Sequence, residues 1–262
     1  MSQDSTNPAD IPVGLQLFSI RHTCMANEGR DFPGVLAEVA RMGYQGVEFA
    51  GYYPAGASDI RKMLDDVGLI CCGAHVMIGK LLGDELEETV EFHRELGNRY
   101  LIVPVLQKEY SESLDGWRRA ADLLNEIAER LAAREMFTGY HNHWNEFKPI
   151  DGQAPMELLA ERTDKRVILQ FDVGNMLVGG GDPAALIERY PGRCRTIHLK
   201  EHGGAKDAVI GEGEVDWQKM LPLAAGVGAA EWFIIEHERD PDRAMADVEK
   251  CLQNVRRLAG GS

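Results

Sequence analysis

The residues of this chain best suited to chemistry come in pairs two apart: His141 and His143, Gln170 and Asp172, His198 and Lys200, Glu236 and Glu238. On an extended strand, residues i and i+2 share a face, so each pair would project together. Gln16, with Arg21 just beyond it, and Glu48, His75 and Glu146 extend the set, each at or just past the end of an apolar run. Packed inside a core, such groups are costly unless they are paired or bound to a cation. Carboxylates and imidazoles converging on one point make a site for a borderline divalent ion such as Mn²⁺, Co²⁺, Zn²⁺ or Fe²⁺. Each residue also has a plainer reading. Asp172-Val173-Gly174-Asn175 could be only a turn, His198 a satisfied core histidine, and Glu48 an ordinary ion-pair partner. Glu236 resists that reading, because a carboxylate closing the apolar run Phe-Ile-Ile calls for a cation.

The elements that would position these residues are legible as a strict alternation. Apolar, β-rich runs occur at Val13–Ser19, Gly46–Ala50, Leu69–Val76, Tyr100–Val105, Phe137–His143, Val167–Asp172, Arg195–Lys200 and Trp232–Glu236. Helical periodicity fills the intervals. One helix is expected from Asp31 to Gly43, one capped by Ser58 and stopped at Gly68, one from Asp84 to Gly97, and a long one starting at Asp115. Asp182-Pro183 and Asp240-Pro241 each pair a capping residue with a proline suited to the first helical position. Strand–helix alternation repeated through the chain argues for a parallel sheet covered by helices. Its length of 262 residues fits one (β/α)₈ TIM barrel, an α/β fold in a single domain, with residues 1–11 as a flexible leading segment. An open doubly wound sheet would carry a glycine-rich phosphate loop after its first strand, where Ser19-Ile20-Arg21-His22 stands instead. In a barrel, the C-terminal strand ends build the active site, and the polar residues above fall there.

Composition narrows the class. The formal net charge of −14 opposes a nucleic-acid or anionic-membrane partner. The five cysteines, Cys24, Cys71, Cys72, Cys194 and Cys251, show no CxxC spacing, which fits reduced thiols. Met1 to Asp10 has no apolar signal-peptide run, and no apolar stretch of membrane-spanning length occurs. A cytoplasmic protein is expected, with no membrane partner.

Taken in order, several motifs resemble the xylose-isomerase-like barrel superfamily of sugar isomerases and epimerases. They are Gly14-Leu15-Gln16-Leu17-Phe18-Ser19-Ile20-Arg21, Gly46-Val47-Glu48-Phe49, Tyr140-His141-Asn142-His143-Trp144-Asn145-Glu146-Phe147, Phe171-Asp172-Val173-Gly174-Asn175, Ile197-His198-Leu199-Lys200-Glu201, Gly211 to Trp217, and Ile235-Glu236-His237-Glu238. The resemblance implies one divalent metal, manganese first, with cobalt, zinc, magnesium or iron as alternatives. It also implies ligands from strands five to eight: a glutamate, then Asp172, His198 and Glu236. This chain departs from the pattern at strand five, where His141 replaces the glutamate. Either Glu146 folds back to restore the shell, the preferred expectation, or His141 binds directly and Glu146 serves behind it or as base. The Tyr-His-Asn-His-x-x-Glu-Phe form is similar to a subgroup that includes sugar isomerases and 3-keto-glycoside-processing enzymes.

The chemistry implied is proton abstraction next to the carbonyl of a small sugar or keto-sugar, through an enediolate. His141, His143 and Glu236 are the acid/base candidates, and Lys200 is either a donor to substrate or an ion-pair partner of Glu201 or Glu236. Gln16, Arg21, Glu48, His75 and Gln170 are the substrate-binding candidates. The rivals are a metal-dependent lyase or dehydratase working by β-elimination, an AP-endonuclease-like repair enzyme and a non-catalytic sugar-binding barrel. A homo-oligomer is compatible with all of these.

Overall fold

The structure, a computed structural model, describes residues 6–29, 31–51, 55–238 and 240–260. Eight parallel strands form one sheet: β1 Val13–Gln16, β2 Gly46–Phe49, β3 Ile70–His75, β4 Tyr100–Val103, β5 Phe137–His141, β6 Ile168–Gln170, β7 Thr196–Leu199 and β8 Trp232–Ile235. Each strand pairs with the next except β6 with β7, and β1 also pairs with β8. Between β6 and β7 the ladder is thin. It is closed by Leu169 N–H donating to Arg193 O at 2.8 Å, His198 N–H donating to Phe171 O at 2.9 Å, and a single parallel bridge between Asp172 and His198. The result is a nearly closed TIM barrel, and its thinnest seam runs between two of the candidate ligands.

The main crossover helices are α1 Phe32–Met42, α2 Ala57–Val67, α3 Glu85–Leu96, α4 Leu114–Ala132, α5 Pro155–Arg162, α6 Pro183–Arg189, α7 Trp217–Ala225 and α8 Ala244–Ala259. The first three end as expected on Gly43, Gly68 and Gly97, whose φ values of 101°, 75° and 80° only glycine adopts without strain. Two start signals fall differently. Ser58 lies inside the first turn of α2, which begins from Gly56, and Asp115 lies inside α4, where the Ser113 hydroxyl accepts the Gly116 N–H at 3.1 Å. Of the two proline signals, Asp182-Pro183 holds as expected, with Asp182 capping α6, whereas Asp240-Pro241 opens a 3₁₀ turn that leads into α8. At the start of the chain, Pro8–Asp10 forms a 3₁₀ turn and Ile11 is buried, while residues 1–5 lie outside the described ones. No helix among the described residues is long and apolar enough to cross a membrane.

Alternation along the strands separates two kinds of interior. The outward-facing residues, such as Leu15, Val47, Leu101, Tyr140, Leu169, Ile197 and Phe233, join the helices in one large apolar core. Fully burying each such side chain is worth about 1.5–3 kcal/mol relative to exposure. The inward-facing residues form a small separate cluster at the N-terminal end of the bore, Tyr100, Ile102 and Ile168 with Phe137 and Trp232. Above it, the bore is filled by Gln16, Glu48, Gln170, Thr196 and His198, all fully buried and polar. A core layer of this kind is tolerable only if its groups satisfy one another.

Candidate active site

The polar layer does so through Glu48. Its Oε2 lies 2.6 Å from His198 Nε2, 2.7 Å from the Gln16 amide that donates to it, and 3.3 Å from His75 Nε2. Its Oε1 accepts from Gln170 Nε2 at 2.8 Å, and the same amide donates to Thr196 Oγ1 at 2.9 Å. Gln170 Oε1 in turn faces His75 Nε2 at 2.9 Å. Room for the carboxylate comes from a register shift between Val47 and Glu48 and from Gly73, where a Cβ would stand 2.5 Å from Glu48 Oε1. Burial disfavours the Glu48 charge, yet His75 and His198 hold its pKa below the ordinary carboxylate value.

The candidate ligands sit on this layer. His141, Asp172, His198 and Glu236 each offer one ligand atom, all within 4.8 Å of one another and all buried. His198 Nδ1 stands 2.6 Å from Glu236 Oε2, on the side of the ring opposite Glu48. Asp172 caps the short helix Val173–Val178, accepting the Asn175 N–H at 2.7 Å and the Asn175 side-chain amide at 2.9 Å. Its backbone N–H donates to Asn142 Oδ1 at 3.0 Å, which ties β5 to the loop after β6. Lys200 Nζ reaches Glu238 at 2.5 Å, Glu236 at 3.1 Å and Asp172 at 3.9 Å. Glu201 does not share it: that carboxylate accepts from Gly211 N–H, Trp217 Nε1, His202 N–H and Val215 N–H, and so organises the loop after β7.

The electrostatics follow from this packing. Burial opposes charge on His198, but Glu48 and Glu236 outweigh it and raise its pKa to about 10. Burial raises Asp172 to about 6 against the pull of Lys200. Burial would raise Glu236 as well, but Lys200 and His198 hold it well below the usual range. Glu238 is pushed up to about 7 by burial and by its hydrogen bond with Glu236. His141 is held neutral by burial and by the neighbouring His198 and His75.

This donor set fits a divalent cation. Two carboxylates supply charge, two imidazoles supply borderline nitrogen donors, and the buried Nδ1 of His141 has no hydrogen-bond partner. An unpaired polar atom at such depth is costly without a further ligand. A second grouping, His75, His141 and His198, overlaps the first. It is the poorer candidate, because it carries no carboxylate and His75 Nε2 is already engaged by Gln170 and Glu48. Glu48 accepts the proton on Nε2, so a cation that displaced the Nδ1 proton shared with Glu236 would meet Nδ1 as an electron-pair donor, the usual arrangement for a metal-binding imidazole.

Glu146 takes a different place from the one expected of a fourth ligand. Tyr140 faces away from the bore, and its hydroxyl donates to Glu146 Oε1 at 2.8 Å, while the His143 N–H donates to Oε2 at 2.9 Å. The buried carboxylate thus stands behind the His143 ring, with Nδ1 3.9 Å from Oε1, and outside the group of converging ligand atoms. Burial raises the Tyr140 pKa far above its ordinary value and Glu146 adds to that, so the phenol remains a donor. The His143 ring, whose pKa is lowered mainly by burial, lines a cavity of about 690 Å³ over the ligand group together with Gln16, His75, Glu146, Lys200, Glu236 and Glu238.

Of the substrate-binding candidates, Gln16 and His75 reach that cavity. Glu48 and Gln170 are fully buried beneath it and do not line it. Arg21 does not line it either; its guanidinium stacks on the Phe18 ring at 4.0 Å and donates to Phe18 O at 2.7 Å. Sequence reasoning noted Glu238 and its pairing with Glu236 but assigned no role to it, nor to Tyr140, Asn142 or Asn175. The two-residue spacing of Glu236 and Glu238 was the available signal for the first. The bonds made by the two asparagines depend on loops whose paths no local pattern encodes.

Comparison with known proteins agrees with this geometry. Residues 36–257 match the family model described as xylose isomerase-like TIM barrel. The chain is similar to the rhizopine catabolism protein MocC of Rhizobium meliloti, 26% identical over 87% of this chain and 81% of that protein. It is also similar to the inosose dehydratase of Geobacillus thermodenitrificans, 25% identical over 87% of this chain and 90% of the relative. A sugar phosphate isomerase/epimerase from Parabacteroides distasonis superposes with a TM-score of 0.81 at 25% identity, covering 95% of each chain. An L-ribulose 3-epimerase shares the fold, with a TM-score of 0.69 at 19% identity over 95% of this chain and 97% of that one. With the family model spanning most of the barrel and the ligand-type residues gathered at its mouth, the chain belongs to the xylose isomerase-like TIM barrel family.

Proposed function

We propose that the protein is a divalent-metal-dependent sugar isomerase or epimerase that removes a proton next to the carbonyl of a small sugar or keto-sugar. The observation that carries this reading is the convergence of His141, Asp172, His198 and Glu236 beneath a cavity that also presents a neutral imidazole, His143. His141, Asp172, His198 and Glu236 would hold the ion, with manganese the first expectation. When bound, such a cation supplies Lewis-acid polarisation of a carbonyl and its neighbouring hydroxyl.

The chain's own groups supply the rest. The His143 ring accepts the proton from the carbon beside the carbonyl, its pKa keeping it unprotonated near neutral pH, and Glu146 fixes the backbone that aims it. The C–H electron pair moves into an enediolate, whose oxygen Lys200 is placed to stabilise from the cavity wall. Return of the proton to the other face of the same carbon gives an epimer, and return to the neighbouring carbon gives an isomer. Glu238, with its pKa near 7, is a second proton donor on the wall.

One observation favours a second reading. Strand five carries His141 in place of a carboxylate, so a shuttle between two opposed glutamates is missing, and several relatives are inosose dehydratases. In that case the enediolate expels an oxygen substituent from the β-carbon, Glu238 protonates the leaving oxygen, and the enzyme is a lyase. Incubation in D₂O with simple ketoses, inososes and 3-keto sugars separates the two. Deuterium beside the carbonyl with intact connectivity supports isomerase or epimerase; loss of water or of an oxygen substituent supports lyase; no exchange with any of them contradicts both.

A further inference from the structure

Among the described residues, six of the seven strongly exposed large apolar side chains lie in connections that follow strand ends at the barrel mouth; Ile70, at the start of β3, is the exception. Three of the six, Phe18, Val105 and Trp144, line the same cavity whose floor presents His143, Lys200 and Glu236. They are 40%, 45% and 44% exposed. Apolar side chains gathered at a concave polar site mark a binding surface more often than chance exposure does.

Two of them are also held in place. Phe18 follows β1 and Trp144 follows β5, which stand across the barrel from each other with three strands between them in either direction. Gln16 Oε1 accepts the Phe18 N–H at 3.0 Å, which ties that residue to the Glu48 network, and Arg21 stacks on its ring. Lys148 Nζ stacks on the Trp144 ring at 4.2 Å. The Trp144 backbone is pressed against Gly179, where a Cβ would stand 2.3 Å from Trp144 O. Exposed aromatics anchored before any ligand arrives lose little freedom on binding. The cavity, about 690 Å³, falls in the range of roughly 300–1,000 Å³ that holds drug-sized ligands, with space beyond a bare monosaccharide.

We infer that Phe18 and Trp144 form a subsite for a flat apolar or aromatic substituent, so that the substrate is an amphipathic polyol with its hydroxylated end on the ligand group and its apolar group at the rim. This rests on the proposed sugar-processing reading for the polyol end. A second copy of the chain fits the rim less well, because the aromatics line a concavity continuous with the polar floor instead of a flat face.

The test is calorimetric titration of the full chain, in the presence of Mn²⁺, with the α and β anomers of 4-nitrophenyl and of methyl glucopyranoside. For at least one anomer, the aryl compound is expected to bind about tenfold or more tighter than the methyl compound, a difference of about 1.4 kcal/mol. In Phe18→Ala and Trp144→Ala, that ratio is expected to fall toward one. A wild-type ratio near one for both anomers, no measurable aryl binding, or a ratio unchanged in both variants overturns the inference. So does sedimentation showing a dimer that Trp144→Ala dissociates. Asp172→Ala separates this inference from the metal reading: a variant that retains Mn²⁺ in full together with the rim-dependent aryl preference contradicts the ligand assignment and leaves the subsite standing.

Discussion

Glu48 Oε2 lies 2.6 Å from His198 Nε2, while the other nitrogen of the same ring lies 2.6 Å from Glu236. The carboxylate of β2 therefore decides which nitrogen of the β7 histidine is left for a cation. Glu48→Gln keeps the shape but replaces the carboxylate that holds the His198 Nε2 proton by a neutral amide, one end of which must set a donor against the donating Gln170 amide or against Gln16 and His198. Loss of such an orienting partner costs about 10–100-fold in metal affinity. Equilibrium dialysis of Mn²⁺ against the variant checks this, and unchanged affinity would refute the orienting role.

Glu146 bears on turnover and not on the ion. Its two oxygens are committed to the Tyr140 hydroxyl and the His143 N–H. Glu146→Gln is expected to retain metal stoichiometry near that of the wild type and to lower kcat about 10²-fold, through misplacement of the His143 ring. Metal analysis alongside rate measurement reads both. A variant that loses the metal would place Glu146 among the ligands after all.

A pH effect on stability is expected from α3, away from the site. Burial lowers the pKa of His93 to about 3, and the Asn98 amide donates to its Nδ1 at 2.8 Å. Above pH 6.5 the ring is neutral in both folded and unfolded chains, and its contribution is fully present. As pH falls below 6.5, the unfolded chain takes up a proton that the folded chain refuses, so stability declines by roughly 1.4 kcal/mol per pH unit until about pH 3. His93→Gln removes this dependence. The stability advantage of the wild type over the variant, from urea unfolding, should shrink by about 2 kcal/mol between pH 7 and pH 5. A constant gap would contradict the assignment.

Much of the architecture was legible because barrel strands end where polar residues begin. The pairs His198 and Lys200, and Glu236 and Glu238, lie together as the two-residue spacing requires. What was not legible depended on groups distant in sequence. β1 stops at Gln16 because Leu17–Ile20 turns into a 3₁₀ helix that the Gln16 side chain caps, so the apolar run to Ser19 overstated the strand. Glu146 faces Tyr140 because alternation on β5 turns that phenol away from His141, a consequence visible only once the loop path is known. Glu48 and Gln170 looked like substrate contacts, yet the strands bury them as supports for His198 and His75.

The central claim is that His141, Asp172, His198 and Glu236 hold one divalent ion. It is tested most directly by titrating the metal-stripped wild type and the four single alanine variants with Mn²⁺ and counting bound ions per chain. The account predicts one ion in the wild type and a loss of retained metal in each variant, Asp172→Ala and His198→Ala most completely. Full occupancy in both of those two variants would contradict it.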